Sequence, residues 1–378
     1  MKKILTYATD GRWRKQIDGK MYYFGKGKSK SDSRSYAKAE KQYFEFLSKR
    51  SKSRGIEKRV SDLTLMEFGE KFLQNNFSRY ESNEISASWF EKLRISIDAF
   101  VEFIGPKHSL ANLCEMDLED YRASLISLPV SDRTNKPISP WTAKSRLDIV
   151  RQLIRWGYKM ALLNKLPRNL EGYSKIKIPE PEIKRFSRED IDQLYKKSND
   201  RMMTFILLAL NCGFGQADIS CLRAREINIQ EGRIVRKRTK TGVRCEFAQW
   251  PLTVEMLKKH GSLHGEPGDR VFLSKNGKPL VHERFEKTDK LKFKKTDSIR
   301  SAFYRLMKKT DIPIGRSFYS LRKTAASELE MIDPAVTEMF LGHSEKGLKK
   351  HYAERDWARL DAAITKLRFT IGTTYEYV

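Results

Sequence analysis

The spacing of apolar residues limits the fold more than any other feature, because they recur three or four positions apart through most of the chain. The clearest run stops at a Gly-Pro pair and consists of Phe90, Leu93, Ile97, Val101 and Ile104. Such spacing puts apolar side chains on one side of a helix, and Gly-Pro is a typical helix end. Segments of this kind predict four helices between about residues 62 and 168, and mainly helices from 187 to about 370.

Helix-start signals support two of these segments. Thr64 and Glu67 form a capping box, in which each side chain accepts a hydrogen bond from the other residue's backbone amide. Ser139 and Pro140 open the fourth helix with a capping hydroxyl and a proline in the first turn. The side of that helix opposite its apolar residues is basic, with Lys144, Arg146, Arg151, Arg155 and Lys159. Two interpretations of it stay open: a surface that contacts DNA, or the solvated surface of an ordinary helical bundle.

The first 60 residues are unusually basic, with 18 Lys and Arg against 6 Asp and Glu. Alternating segments near residues 2–8, 11–17 and 20–25, separated by two Asp-Gly pairs, predict a three-stranded sheet, which a helix follows. Aromatic residues interleave there with basic ones, namely Arg12, Arg14, Lys15 and Lys20. A small basic sheet backed by one helix suits the DNA major groove. The alternative is a basic arm without defined contacts.

The whole chain is basic: its 378 residues include 74 Lys and Arg against 48 Asp and Glu, a net charge of +26. Such an excess predicts a polyanionic partner much larger than a nucleotide, and it favours nucleic acid over a merely basic soluble surface. No stretch approaches about 18 consecutive apolar residues and the N-terminus has no apolar run, so we expect neither a membrane span nor a secretory signal. Four scattered cysteines predict neither a disulfide framework nor a zinc site, which fits a reducing, intracellular compartment.

Three residues near the C-terminus, Arg322, His343 and Tyr352, have the chemistry to cleave a phosphodiester without a metal or cofactor. A tyrosine hydroxyl can attack phosphorus, a guanidinium can bind two non-bridging oxygens at once, and a histidine can donate to the same phosphate. Short predicted helices separated by turns carry these residues, so a compact fold can bring them together.

In order and spacing, these motifs resemble those of the tyrosine recombinase (phage integrase) family over about residues 62–370. Tyr319-Ser-Leu-Arg322 is similar to its His-x-x-Arg box and Leu341-Gly-His343 to its Leu-Gly-His box, and Tyr352 stands nine residues after the histidine, as the family's nucleophile does. The resemblance implies site-specific strand exchange on double-stranded DNA: the tyrosine forms a 3′-phosphotyrosyl bond, and the released 5′-hydroxyl attacks a partner strand. It also implies a homotetramer on two duplexes, with no ATP, cofactor, metal, membrane or small-molecule substrate.

The family also uses a hairpin lysine that protonates the departing 5′-oxygen. Within residues 236–242 (RKRTKTG), Lys240 before Thr-Gly is the best match and Lys237 is the second. The alternative is a solvated basic hairpin that touches backbone phosphates. A second basic run predicts a loop that faces either DNA or solvent, and its residues are Lys287, Lys290, Lys292, Lys294 and Lys295.

Two positions depart from the family pattern. Gly215 stands where the family has its first active-site arginine, and glycine has no side chain to bind a phosphate. Loss of one such donor costs about 10²–10³ in rate, unless Gln216, Arg223 or Arg225 replaces it. Tyr319 stands in place of a histidine; a phenol, with an ordinary pKa of about 10, donates a hydrogen bond but is a poor base at neutral pH. The missing arginine is therefore the more serious departure.

The expected fold is mainly α with small β elements. With the resemblance, we expect a basic arm-type DNA-binding domain at 1–60, a helical core-binding domain at 61–173, a linker at 174–186, a catalytic domain at 187–370 and a tail at 371–378. Prolines and charges without periodicity mark the linker, and a strand-rich patch at 226–253 predicts a small antiparallel sheet in the catalytic domain. An apolar stripe after Tyr352 predicts a C-terminal helix, which packs either on its own core or on a neighbouring protomer.

Three functions compete at this point. The favoured one is a site-specific recombinase or integrase, cytoplasmic and associated with the nucleoid. The principal rival, which Gly215 motivates, is a DNA-binding protein of recombinase descent that no longer cleaves. The third is a topoisomerase that uses the same tyrosine chemistry to relax one duplex. Covalent attachment to nicked DNA separates the first two, and relaxation of supercoiled plasmid without site preference favours the third.

Overall fold

The structure is a computed structural model of the chain. It describes residues 4–17, 20–53, 63–127, 129–131, 135–170, 176–180, 182–238, 241–263, 265–287, 291–343 and 355–370, of which 47–53, 287 and 368–370 are described by their backbone alone. The chain divides into two compact units, an N-terminal unit (Met1–Pro179) and a C-terminal unit (Glu180–Val378). The division falls inside the segment predicted as a linker, and the finer domain boundaries stay predictions.

The N-terminal unit begins with an antiparallel three-stranded sheet in the order β1-β2-β3, as predicted. Its strands are β1 (Thr6–Tyr7), β2 (Arg12–Ile17) and β3 (Lys20–Lys26), and helix α1 (Ser33–Ser53) follows. Trp13 and Phe24 form a small core with Leu5 and with Ala39 of the helix. The indole of Trp13 is fully buried and donates to Ser35 Oγ at 3.0 Å. The helix therefore covers one face of the sheet, because strand side chains alternate between faces.

The predicted helices of this unit are present, with a two-stranded pairing of β4 and β5 before the last one. Their bounds are α2 (Leu65–Glu81), α3 (Ala87–Ile104), α4 (Glu115–Ile126), β4 (Val130–Ser131), β5 (Lys136–Pro137) and α5 (Pro140–Lys159). The capping box is confirmed: the Glu67 amide donates to Thr64 Oγ1 at 3.2 Å, and the Thr64 amide donates to Glu67 Oε2 at 2.9 Å. The helices share one core, which includes Phe68, Phe72, Leu93, Ile97, Phe100, Val150, Leu153 and Ile154.

The C-terminal unit is mostly helical around a small antiparallel sheet. Its helices are α6 (Arg188–Lys197), α7 (Asp200–Asn211), α8 (Gln216–Cys221), α9 (Pro251–His260), α10 (Ser298–Met307), α11 (Phe318–Ile332), α12 (Pro334–Phe340) and α13 (Trp357–Thr370). The predicted strand-rich patch forms β6 (Ile227–Asn228), β7 (Arg233–Lys237) and β8 (Arg244–Ala248), paired in that order. The predicted fold class, mainly α with small β elements, is confirmed. Within the described ranges, no helix is both long and apolar enough to cross a bilayer.

The basic run was predicted as a loop, and that prediction was wrong for its described lysines, which lie in the strands of a hairpin; Lys290 lies outside the described residues. The hairpin pairs β9 (Val281–Lys287) with β10 (Leu291–Asp297). Phe285 and Phe293 face each other in register, with ring centroids 5.4 Å apart, and Lys294 Nζ lies 2.6 Å from a carboxylate oxygen of Glu286. Cross-strand aromatic and charge pairs stabilise a hairpin. The run of lysines gave no sign of a strand in the sequence, because the glutamates that pair with them lie on the preceding strand.

Helix α13 packs on the core of its own unit. Leu360, Ile364 and Leu367 are buried, as the apolar stripe predicted. Trp250 Nε1 donates to the backbone carbonyl of Ile364 at 2.9 Å. Of the two alternatives for this helix, the structure therefore supports docking on its own core.

Candidate active site

Arg322 lies in the interior of the C-terminal unit, in the second turn of α11. Leu321 and Leu329 of the same helix are fully buried in the core, and Arg322 itself is only 4% exposed. Backbone carbonyls hold its guanidinium: Nη1 donates to the oxygen of Gly213, and Nη2 donates to that of Leu341 at 2.7 Å. Its Nε is buried and has no partner among the described residues. The guanidinium is thus oriented by neutral groups rather than paired with a carboxylate.

The surroundings of Arg322 are unfavourable for a positive charge. Burial lowers the pKa of its guanidinium; the phenolic group of Tyr319 acts in the opposite direction, and the charge of Arg238 lowers the pKa again. Removing a charge from water is costly unless an opposite charge compensates. Because no described carboxylate forms an ion pair with Arg322, the site is suited to an anion from outside the chain. A phosphate matches the fork of a guanidinium.

A tight turn at residues 341–343, here called the Leu-Gly-His turn, follows α12. Gly342 has a φ of 59°, and a Cβ there would lie 2.7 Å from Cys245 Sγ and 3.0 Å from Arg238 Cδ, so glycine is required. The carbonyl oxygen of Gly342 accepts hydrogen bonds from Arg238 Nη1 at 3.4 Å and from Thr241 Oγ1 at 3.1 Å. The turn is therefore fastened to the loop between β7 and β8.

His343 is half-exposed at the end of this turn. Its Nδ1 lies 2.6 Å from Oε2 of Glu338. Glu338 is on α12, the helix that precedes the turn. An ionised carboxylate only accepts hydrogen bonds, so Nδ1 carries the proton of this contact and Nε2 is the ring atom left for a ligand. Nε2 can donate to a phosphate when the ring is protonated.

Gly215 caps the N-terminus of α8, and its amide donates to Asp218 Oδ2 at 3.0 Å. Its φ is −87°, and a Cβ there would meet Asp218 Oδ2 at 3.5 Å and the Tyr319 ring at 3.6 Å, which are ordinary contacts. The backbone therefore does not require glycine at this position. Gly213 differs, since its φ is 63° and a Cβ would lie 2.7 Å from the Phe340 ring.

Tyr319, the second departure from the family pattern, lies between Gly215 and Arg322. Its ring centroid is 6.0 Å from Arg322 Cζ, and the same ring borders the space beside Gly215. The side chain is 45% exposed, so its hydroxyl can reach a ligand from solvent. A phenol in this place can donate a hydrogen bond to a phosphate oxygen.

Tyr352 and Lys240 lie outside the described residues, but their described neighbours belong to the site. Arg355 Nη2 donates to the carbonyl oxygen of His343 at 3.0 Å. This hydrogen bond joins the two described residues on either side of the segment that contains Tyr352. Thr241, which follows Lys240, bonds to the Leu-Gly-His turn. The structure thus brings the described predicted residues together around one turn, while Tyr352 and Lys240 stay predictions.

The C-terminal unit matches a known protein family. The model of the phage integrase family matches residues 184–359. The matched residues make up most of the C-terminal unit, which is similar to phage integrases over this range. No curated protein matches the chain.

Solved integrase structures share the fold. A lambda integrase dimer bound to a COC′ core site has a TM-score of 0.55 at 16% identity, over 99% of this chain and 97% of that one. A lambda integrase tetramer bound to a Holliday junction has a TM-score of 0.56 at 16% identity, over 94% and 98%. The Tn1549 transposon integrase in complex with a circular intermediate DNA has a TM-score of 0.55 at 11% identity, over 81% and 99%. At these identities the likeness shows the fold.

Sequence reasoning missed two arginines that line this site. Arg236 is 5% exposed, its Nη1 donates to the carbonyl oxygen of Asp218 at 2.9 Å, and its Cζ lies 5.1 Å from the Phe214 ring centroid. Arg238 reaches the Leu-Gly-His turn, as described above. Arg236 lies in β7 and Arg238 directly follows that strand, so their spacing of two residues in the predicted strand-rich patch was the signal available. Within the described residues, no group of three or more His, Cys, Asp or Glu side chains could hold a metal ion.

The replacements considered from the sequence for the missing integrase arginine receive little support. Arg223 donates through Nη1 to the carbonyl oxygen of Gly268, away from the residues that contact Arg322. Arg225 is exposed on a short 3₁₀ turn. Gln216 is the partly buried first residue of α8 and carries no charge.

The predicted DNA-binding residues of the N-terminal sheet have different surroundings. Arg12 forms a 2.6 Å ion pair with a neighbouring aspartate, and its Cζ lies 4.2 Å above the Tyr23 ring. Arg14 lies opposite Tyr23 in the strand register, on the sheet face that α1 does not cover. Lys15 donates to a backbone carbonyl at 2.9 Å, and Lys20 is exposed at the start of β3. Arg14 is thus the residue best suited to contact a partner.

The remaining predicted DNA-binding residues lie on α5 and β7. An aspartate that the sequence reading overlooked, Asp148, accepts from Lys144 Nζ at 2.6 Å and lies 3.4 Å from Arg151 Nη1. That side of α5 is therefore less positive than its lysines and arginines suggest. Arg155 is half-buried on the same helix, and Lys237 is exposed at the end of β7. Their role in DNA binding stays a prediction.

Proposed function

We propose that the protein is a site-specific DNA recombinase that cuts and rejoins DNA through a covalent bond to Tyr352. The observation that carries this proposal is the buried guanidinium of Arg322, which two carbonyls orient beside His343 and which forms no ion pair with a described carboxylate. A buried charge of this kind is stabilised when a phosphate binds. The family of the C-terminal unit supports the same chemistry.

In the proposed reaction, Arg322 binds the non-bridging oxygens of the scissile phosphate and His343 donates to the same group. The Tyr352 hydroxyl attacks phosphorus and gives its proton to water. The bond from phosphorus to the 5′-oxygen breaks, and Lys240 gives that oxygen a proton. Attack by a 5′-hydroxyl of a partner strand reverses these steps, restores the phosphodiester and frees the tyrosine. No nucleotide cofactor is needed, because each step exchanges one phosphate ester for another.

Chain connectivity supports the roles of the two residues outside the described ranges. Lys240 directly precedes Thr241, whose hydroxyl bonds to the Leu-Gly-His turn at 3.1 Å, and neighbouring Cα atoms are about 3.8 Å apart. Tyr352 precedes Arg355 by three residues, which span at most about 11 Å. Arg355 in turn bonds to the backbone of His343 at 3.0 Å. This connectivity supports the proposed roles, because a described residue near each of them in sequence bonds to the Leu-Gly-His turn.

We infer that double-stranded DNA is the substrate. The net charge of +26 and the uncovered sheet face with Arg14 support this. The tetramer of lambda integrase on a Holliday junction supports a homotetramer on two duplexes as the active assembly. A protein with this activity works where the DNA is, so we propose a cytoplasmic, nucleoid-associated location.

A suicide substrate tests the proposal. A nick beside the cleavage position of a selected duplex lets a short strand diffuse away, so a covalent complex accumulates as a denaturant-resistant protein–DNA band. We expect the band with the native chain, none with Tyr352→Phe although its DNA binding is unchanged, and formation slowed by about 10²–10³ with Arg322→Gln. Tyr304→Phe, at an exposed tyrosine of α10, is the matched control. A band that persists in Tyr352→Phe overturns the assignment of the nucleophile.

One observation favours a second candidate, a DNA-binding protein that does not cleave. Gly215 leaves the site without the side chain that binds phosphate in relatives. The same experiment distinguishes the two, because such a protein binds its selected duplex tightly yet gives no covalent band.

A further inference from the structure

We propose that Arg238 supplies the phosphate-binding guanidinium that Gly215 cannot supply. The inference rests on the proposed function, because its ligand is the phosphodiester that Tyr352 attacks. Arg238 directly follows β7, and its amide donates to the carbonyl oxygen of Val243 at 2.8 Å, which fixes the backbone of the loop at this point.

The Leu-Gly-His turn holds Arg238 and Arg322 side by side. Arg238 Nη1 lies 3.4 Å from the oxygen of Gly342, and Arg322 Nη2 lies 2.7 Å from that of Leu341. Because neighbouring Cα atoms are about 3.8 Å apart, two guanidiniums on neighbouring carbonyls are close to each other. Both side chains also line one small cavity. A single phosphate at this place can contact both.

The charges of the two arginines call for an anion between them. Like charges side by side repel, and within the described residues neither Arg238 nor Arg322 forms an ion pair with a carboxylate. After the larger effect of burial, the charge of Arg238 contributes to lowering the pKa of Arg322. A phosphate removes this repulsion. Arg238 is only partly buried and its 3.4 Å contact is long for a hydrogen bond, so its guanidinium can turn to a ligand.

The other arginines of the site are already engaged. Arg236 Nε lies 3.8 Å from a carboxylate oxygen of Glu226, and its Nη1 bonds to a backbone carbonyl at 2.9 Å. Arg355 donates through both terminal nitrogens to backbone carbonyls, at 3.3 Å and 3.0 Å. Arg238, whose one side-chain hydrogen bond within the described residues is 3.4 Å long, is therefore freer than these two arginines to turn toward a phosphate.

Gly215 offers a direct test, because an arginine can be put back at that position. Its φ of −87° suits any residue, and a Cβ would make no contact shorter than 3.5 Å. If Arg238 performs the function that the glycine lacks, Gly215→Arg makes Arg238 dispensable.

The experiment measures the single-turnover rate of covalent complex formation on the nicked duplex. We expect Arg238→Gln to slow it by about 10²–10³, and Gly215→Arg/Arg238→Gln to recover most of the loss. Arg244→Gln is the charge-matched control from the same pair of strands, since Arg244 is exposed and bonds to Glu246 at 2.8 Å; its rate stays near that of the native chain. Native-like cleavage by Arg238→Gln, or no recovery in the double variant while Gly215→Arg alone is active, overturns the proposal.

A binding measurement separates this inference from the proposed function. In a Tyr352→Phe background, the affinity for the selected duplex is compared with that for a duplex whose scissile phosphate is a neutral methylphosphonate. We expect the neutral linkage to weaken binding, and Arg238→Gln to reduce this difference at least severalfold. An unchanged difference refutes the role of Arg238 even if the chain never cleaves. A reduced difference without cleavage by the native chain refutes the recombinase activity alone.

Discussion

Replacing Gly342 with alanine is the sharpest single perturbation of the site, because the Leu-Gly-His turn organises Arg322, Arg238 and His343. An L-residue at φ of 59° is in the left-handed region, which costs roughly 1–2 kcal/mol. The new Cβ would also lie 2.7 Å from Cys245 Sγ, and relief of such overpacking costs about 1–3 kcal/mol. Alanine also restricts the unfolded chain, which offsets about 0.4–1 kcal/mol. We therefore expect the C-terminal unit to lose about 2–4 kcal/mol of unfolding free energy.

Gly277→Ala is the matched control for this prediction. Gly277 lies in a turn directly after Asn276, its φ is 66°, and a Cβ there would meet nothing within 4 Å. The control isolates the backbone strain from the steric clash, so we expect it to cost about 1 kcal/mol. Both variants are compared with the native chain by calorimetry, and hydrogen exchange assigns the transition to the C-terminal unit.

The two variants also differ in activity. Gly342→Ala moves the carbonyls that orient the two guanidiniums, so we expect covalent complex formation to fall by at least about tenfold, as transition-state contacts depend on such geometry. Gly277→Ala keeps its rate. Equal losses of stability in the two variants, or native-like cleavage by Gly342→Ala, would refute the argument that the turn holds the site.

Three further predictions concern other parts of the molecule. Glu338→Gln removes the carboxylate 2.6 Å from His343, so covalent complex formation slows severalfold in the suicide-substrate assay while the DNA affinity in a filter-binding assay stays the same. Arg14→Gln weakens DNA binding and lowers the slope of log affinity against log salt by about one; an unchanged slope excludes a phosphate contact. Burial raises the pKa of the Cys212 thiol to about 12, so at pH 8 its thiolate fraction is about 10⁻⁴; exposed Cys114 therefore reacts first with a thiol reagent, as peptide mass spectrometry will show.

Most of the fold was predictable because local signals decided it. The capping box at Thr64 and Glu67 and the apolar period of α3 depend on neighbours within one or two turns, which the sequence displays directly. The hairpin of β9 and β10 was missed for the opposite reason. Its lysines are compensated by glutamates on the partner strand, such as the pair Lys294 and Glu286, and that pairing exists only after the chain has turned back.

The residues of the site also fall into two groups, those that a local motif identifies and those that only the fold brings together. Arg322, His343 and Tyr319 were predictable because motif spacing along the chain identified them. Arg238 was not, since its importance arises from the contact with Gly342, more than 100 residues away in sequence. Asp148, which partly neutralises the basic side of α5, was overlooked among its basic neighbours.

The partners of the site's arginines explain why a missing arginine need not end the chemistry. Backbone carbonyls of residues 341–343 accept from Arg322, Arg238 and Arg355. A carbonyl orients a guanidinium without neutralising it, whereas a carboxylate would compete with the phosphate for the same charge. What the reaction requires is positive charge at a fixed place rather than an arginine at one position of the sequence. A loop that bonds to the same turn can therefore supply it, provided that its residue, like Arg238 within the described part of the chain, forms no ion pair with a carboxylate.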